Sequence, residues 1–224
     1  MELNKAIITR RSTRKYFDKS VDWDDVSKII DSARYAPSAG NVQDWRFIVV
    51  RDEEKISEIS NACLSQKFVG QVPVVIVVCS NVEKIKREYG LRGEKLYSIQ
   101  NCAAAIQNML LTATDLGLAS CWTGAFDEDK IRTILSIPGT VRPQAVLPIG
   151  YAAEKLTAPK REELTHLIYF EKYGNKIDDI DAVLNNWGKV MQRDIKEGVK
   201  SAGKTIKKVV EKVKKRLKKN NSKK

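Results

Sequence analysis

Apolar positions recur along this chain at two periods, one helical and one extended. In SVDWDDVSKIIDSARYAP (20–37), Val26, Ile29, Ile30 and Ala33 return at helical spacing. Ser20 or Asp22 can cap that helix, acids fill its first turn, and Pro37 stops it. LNKAIITR (3–10) also reads as a helix, and residues 53–64 and 82–89 read as short ones. WRFIVV (45–50) and VPVVIVV (72–78) are compact and β-branched, the second apolar on both faces, which predicts buried strands. The strongest helix spans 97–117, with a stripe at Ile99, Ala103, Ile106, Leu110 and Ala113 and Gly117 as its stop. Its Ala103–Ala105 triplet suits close helix approach, and core packing and a dimer contact explain that equally well. GLASCW then reads as a strand, DEDKIRTILSIP as a helix ending at Pro138, and RPQAVLPIGYA (142–152) as a strand. No regular βαβ repeat emerges, so the order predicts an α+β fold or a mixed three-layer sandwich.

Charge changes this picture only at the end. The net charge is +12 over 224 residues, but residues 1–187 are balanced. Residues 188–224 carry 15 Lys and Arg against Asp194, Glu197 and Glu211. The division expected is a main domain over 1–174 and a Lys-rich extension over 175–224, helical or partly disordered. From Ile195 onward Val199, Ala202, Ile206, Val209 and Val213 alternate at steps of four and three, as a basic amphipathic helix would. Such a segment suits an anionic membrane surface; nucleic acid, with no aromatic after Trp187, is the weaker candidate. A solvated tail and a coiled coil are the remaining alternatives.

Several chemistries are disfavoured. Cys63, Cys79, Cys102 and Cys121 form no CxxC pair and there is one His, so neither a disulfide framework nor a zinc site is expected. MELNKAIITR has no apolar secretory core, and the run Val72–Cys79 is too short to span a bilayer, so a soluble cytoplasmic protein is expected. Walker, GxGxxG, HExxH and GxSxG patterns are missing from the sequence. His166 has no evident nucleophile motif beside it, and Cys121 reads better as a buried structural thiol than as a nucleophile.

Two stretches stand out. RRSTR (10–14) offers guanidinium forks and hydroxyls suited to a phosphate, although a solvated helix end would look alike. YAPSAGNVQDW (35–45) stops a helix at Pro37, brings small residues together, and presents the amides of Asn41 and Gln43 before a strand. Such a loop could bind a planar heterocycle, or be an ordinary polar turn.

In combination, RRSxR, then APSAGNxQxW about 25 residues later, resembles the FMN-dependent nitroreductase family. QKFVGQVPVVIVV, the alanine-rich helix, GLASCWTGAF, IPGTVRPQAVLPIGYAAE, PKREEL and YFEKYG continue the resemblance in order, over about residues 3–174. It implies a three-layer α/β/α sandwich with a mixed, mostly antiparallel sheet, and FMN at the interface of a homodimer. It further implies that Arg10, Arg11, Ser12 and Arg14 grip the FMN phosphate and ribityl chain. Pro37, Ser38, Ala39 and Asn41, with Gln43, would lie against the partner's flavin. Thr123 and Gly124 would pass the ring through their backbone, and Arg161 with Lys160 would complete the phosphate site. NADH or NADPH would reduce the flavin, and a nitroaromatic, quinone or similar acceptor would be reduced in a ping-pong cycle. No catalytic side chain is needed, because the chemistry lies at the flavin N5. The alternative is a non-catalytic flavin-binding protein docked to an anionic membrane or nucleic acid by its tail. Three places depart from the family pattern. Many members carry Pro where Asp44 stands and an acid where Asn101 stands, and some carry a Glu or a similar polar group beside the flavin where Trp122 and Thr123 lie.

Overall fold

The computed structural model describes residues 1–64 and 66–177, together with Arg193, Ile195 and Glu197. It divides into two units, Met1–Ala158 and Pro159–Lys224.

In the first unit the chain runs α1 (Leu3–Thr9), β1 (Tyr16–Phe17), α2 (Trp23–Arg34), β2 (Trp45–Val50), α3 (Glu53–Ala62), β3 (Val74–Asn81), α4 (Val82–Arg92), α5 (Ser98–Asp115), β4 (Ala119–Ser120), α6 (Glu128–Leu135) and β5 (Val141–Ala152). The sheet order is β1-β5-β3-β2, with β4 also paired to β5, and these pairs are antiparallel. One isolated parallel bridge, Ser12 to Ser120, makes the sheet mixed.

β3 lies between β5 and β2 and is buried through Ser80, which is why its sequence is apolar on both faces. Val74, Ile76 and Val78 pack against Ile29, Ala33, Ile106 and Met109 of α2 and α5. Val75, Val77 and Cys79 face the opposite way, against Ile56 and Ile59 of α3 and Ile131 of α6. Helices therefore cover both faces, giving the three-layer sandwich expected. Each fully buried Ile or Val contributes about 1.5–3 kcal/mol from apolar area removed from water.

Side chains set several helix starts. Asp52 accepts from Lys55 N at 2.9 Å, Asn81 from Lys84 N at 3.0 Å, and Asp127 from Lys130 N at 3.1 Å. Asp22 occupies the N-cap of α2, but its side chain makes no capping bond. At the end of α5, Leu118 N donates to Ala113 O (2.8 Å) and Gly117 N to Thr114 O (3.1 Å), with Gly117 at φ +76°. That is a Schellman closure, as the glycine suggested.

The buried face of α5 differs from the expected stripe. Asn101, Cys102, Ala105, Ile106, Met109, Leu110 and Ala113 are buried, whereas Ile99 is exposed and Ala103 half-buried. Apolar residues surround this helix, so period alone could not select the face, and the sheet selected it.

In the second unit a short helix, α7 (Leu164–Leu167), follows the exposed Lys160 and Arg161. His166 Nδ1 pairs with Glu162 on the surface. Tyr169 and Tyr173 stack at 4.6 Å beside a turn closed by Phe170 N donating to Asn175 O. The basic amphipathic tail helix, apart from Ile195 and Glu197, falls outside the described residues. Among the described residues no helix is long and apolar enough to cross a membrane.

Candidate functional site

The segment after α1 is extended, starting at Arg10 (φ −54°, ψ 132°). Its backbone is pinned along the sheet edge: Thr13 N donates to Ser120 O at 3.1 Å, Arg14 N to Glu154 Oε1 at 3.0 Å, and Ala153 N to Lys15 O at 2.9 Å. Extended chain alternates its side chains, so Arg10, Ser12 and Arg14 share one side and Arg11 and Thr13 the other. Thr13 is accordingly buried. Arg11 turns back onto α1, where Nη1 donates to Ile8 O (2.6 Å) and Arg10 O (2.8 Å). The Arg14 guanidinium lies 5.8 Å from the Phe68 ring centroid.

Residues 121–124 meet this side. Burial pushes the Cys121 thiol above its ordinary range, while Arg14, Arg10, Ser12 and Thr123 draw it back. The Ser12–Ser120 bridge and the Thr13 N bond to Ser120 O set this segment beside the start of that stretch. Thr123 is held by a double backbone bond with Val146, at 3.0 and 2.9 Å, which fixes the carbonyl and amide positions leading into Gly124. Among the described residues the Thr123 and Ser120 hydroxyls are buried without an ordinary hydrogen-bond partner. Gly124 is exposed, and a Cβ there would meet only the Trp122 ring, at 3.9 Å.

The second stretch forms a tight loop elsewhere on the sandwich. Gly40, Asn41 and Gln43 have φ of +52°, +57° and +51°, a left-handed run that few sequences accept. A Cβ on Gly40 would also stand 2.1 Å from Tyr89 Oη. Local bonds hold the turn: Asn41 N to Ser38 O (3.0 Å), Gln43 N to Ser38 Oγ (3.1 Å) and Gln43 Nε2 to Asn41 Oδ1 (3.0 Å). Ala39 N donates to Asn101 Oδ1 at 3.0 Å, and Asn101 Nδ2 donates to Asp44 Oδ1 at 2.6 Å. Asp44 is fully buried, and its other oxygen accepts from Ser80 Oγ.

Asp44 and Asn101, two of the positions that depart from the family pattern, are thus bonded to each other. Sequence reasoning flagged them separately and did not assign them to the site. The available signal was an acid gained at 44 together with an acid missing at 101.

One chain does not bring the two stretches together. Trp45 pairs with Ser80, Ser80 with Arg142, Ile149 with Ser120, and Ser120 with Ser12. Four strand spacings of about 4.8 Å and seven residues of β5 at about 3.3 Å put Ser12 and Trp45 on the order of 30 Å apart along a flat sheet. Lys160 and Arg161 belong to the second unit and are exposed there.

The model of the family described as "Nitroreductase family" matches residues 7–69 and 62–151. A Methanothermobacter thermautotrophicus protein, provisionally named NADH dehydrogenase/NAD(P)H nitroreductase, is 41% identical over 160 residues, covering 69% of this chain and 79% of its own. A Bacillus subtilis protein named FMN reductase (NADPH) is 26% identical over 201 residues, covering 84% of this chain and 80% of its own. The solved structure of an FMN-dependent nitroreductase from Clostridium difficile superposes with a TM-score of 0.65 at 27% identity, over 75% of this chain and 98% of that one. The motifs, the layered fold and these likenesses agree, and the chain belongs to the nitroreductase family.

Proposed function

We propose that the protein is an FMN-dependent oxidoreductase that uses NADH or NADPH to reduce a nitroaromatic, quinone or similar small acceptor, in two half-reactions sharing one site. The observation that carries this reading is the pinned extended segment 10–14, whose alternation sets Arg10, Ser12 and Arg14 on one side and whose backbone is bonded beside Ser120. Two guanidiniums and a hydroxyl on a fixed backbone form a donor set that suits a phosphate dianion. When bound, FMN would supply the hydride-transfer chemistry. The chain's own task is to hold and orient. Arg10, Ser12 and Arg14 grip the phosphate end, while Arg11 braces the end of α1 behind them. Thr123 and Gly124 present backbone along the ring, and their position is fixed by β5 rather than by a loop. Lys160 and Arg161 are proposed to add positive charge to the phosphate.

Pro37, Ser38, Ala39, Asn41 and Gln43 are proposed to serve a second copy's flavin. The strand path between the two stretches supports this, since it sets Ser12 and Trp45 at opposite ends of the sheet.

Anaerobic titration tests the reading. Protein incubated with FMN should turn yellow and bleach on adding NADH or NADPH, and an acceptor should restore the colour. Protein that takes up no FMN would sink the proposal. FMN uptake without bleaching by either nucleotide would instead favour the non-catalytic alternative.

A further inference from the structure

We infer that Asp44 is a positioning residue that holds the 37–43 loop in its ligand-facing conformation, acting through the Asn101 amide. The inference rests on the functional reading above, in which this loop serves the flavin of a second copy.

An Asn side chain has one donating end and one accepting end, and nothing in its shape decides which way it points. Here the surroundings decide. Asp44 Oδ1 accepts from Asn101 Nδ2 at 2.6 Å, and Asn101 Oδ1 accepts from Ala39 N–H, a donor only, at 3.0 Å. Ser80 Oγ occupies the other carboxylate oxygen, and Asn81 N donates to the Asp44 backbone carbonyl at 2.7 Å, so Asp44 cannot turn away. Asp44 is fully buried and Asn101 nearly so, which leaves little water to stand in for a lost partner. The bond to Ala39 matters because the next residues, Gly40 and Asn41, have positive φ, and Gln43 does too. A loop in that conformation needs an outside anchor, and the Ala39 amide is the point where the core grips it.

The test compares FMN affinity, melting temperature and hydrogen exchange at the Ala39 amide in four proteins. These are the unaltered chain, Asp44→Ala, Asn101→Asp and the swapped double variant Asp44→Asn/Asn101→Asp. Asp44→Ala frees the amide, and Asn101→Asp sets two carboxylates against each other. Each should weaken FMN binding by roughly tenfold or more and speed exchange at Ala39. The swapped pair can again satisfy Ala39 N–H, and it should return both readings to within roughly threefold of the unaltered chain. If Asn101→Asp does not fold, recovery on adding Asp44→Asn is the same rescue. Single variants that melt lower yet keep FMN affinity would overturn the inference, as would a swapped pair no better than Asn101→Asp. Failure of the functional reading would look different, because the unaltered chain itself would then take up no FMN, and the inference would fall with it.

Discussion

Arg11 Nη1 donates to the carbonyl of Ile8 at 2.6 Å. Of the three arginines in RRSTR, one is thus engaged with the helix that precedes it, and the alternation of extended chain leaves Arg10 and Arg14 on the other side. Three like charges in five residues are tolerable because they do not all point the same way. Arg11→Ala should lower stability by about 1 kcal/mol, the value of one such bond, with little change in FMN affinity. Arg14→Ala should do the reverse, weakening FMN by about 1.5–3 kcal/mol as expected for a charge-assisted contact. Melting curves and fluorescence titration of FMN separate the two, and equal FMN losses in both variants would contradict the assignment.

A site split between subunits predicts complementation. Arg14→Ala and Asn41→Ala should each bind FMN poorly as pure preparations. Unfolded together and refolded as mixed dimers, they should regain tight binding at roughly a quarter of all sites, because one site in each heterodimer carries neither defect. No recovery on mixing, in a sample shown to contain heterodimer, would place both stretches in one subunit's site.

Gly40 faces two constraints, a left-handed backbone and the Tyr89 hydroxyl 2.1 Å from where a Cβ would stand. Gly40→Ala should cost about 1–2 kcal/mol in backbone strain plus the displacement of Tyr89. Adding Tyr89→Phe should recover the steric part and leave the backbone part. A double variant no more stable than Gly40→Ala would show that Tyr89 swings aside freely.

Burial pushes the Cys63 and Cys79 thiols up to about 12, with Arg132 partly opposing the shift at Cys79. The unfolded chain, with ordinary thiols, releases these protons first as pH climbs past about 9. Their stabilisation is therefore complete below pH 9 and is lost progressively as pH rises towards 12. Urea midpoints measured at pH 8 and pH 10.5 should fall more steeply for the unaltered protein than for Cys63→Ala/Cys79→Ala. At pH 8, a thiol reagent should label both residues only after denaturant is added. Prompt labelling of native protein would mean these thiols are far more accessible than their burial implies.

The charge of residues 188–224 predicts salt-sensitive sedimentation with vesicles containing anionic lipid, and none with neutral vesicles. Removing 188–224 should abolish it without altering FMN uptake. Equal recovery with both vesicle types would end the membrane reading.

Much of the fold was legible because its causes are local. Val74–Val78 is apolar on both faces and became a central strand, and Gly117 closed α5 as its lack of a side chain allows. The capping bonds of Asp52, Asn81 and Asp127 each span only three residues. The face of α5 was not legible, because Ile99 and Ile106 are equally apolar and only contact with the sheet distinguishes them. The same holds for Asp22, whose type suits a cap although its side chain does not make one.

The candidate site divides along the same line. RRSTR and PSAGN could be picked out as chemistry, since residue type states what a side chain can bind. Where each lies is set by pairings between residues far apart in sequence, such as Ser12 with Ser120 and Asp44 with Asn101. Period, capping and turn preference act over a few residues and fixed the elements. Register, burial and the direction of each side chain depend on what the sheet brings alongside. Only the tertiary structure could therefore decide that Arg11 Nη1 bonds back to α1, that Asp44 and Asn101 form one unit, and that the strand path sets Ser12 and Trp45 at opposite ends of the sheet.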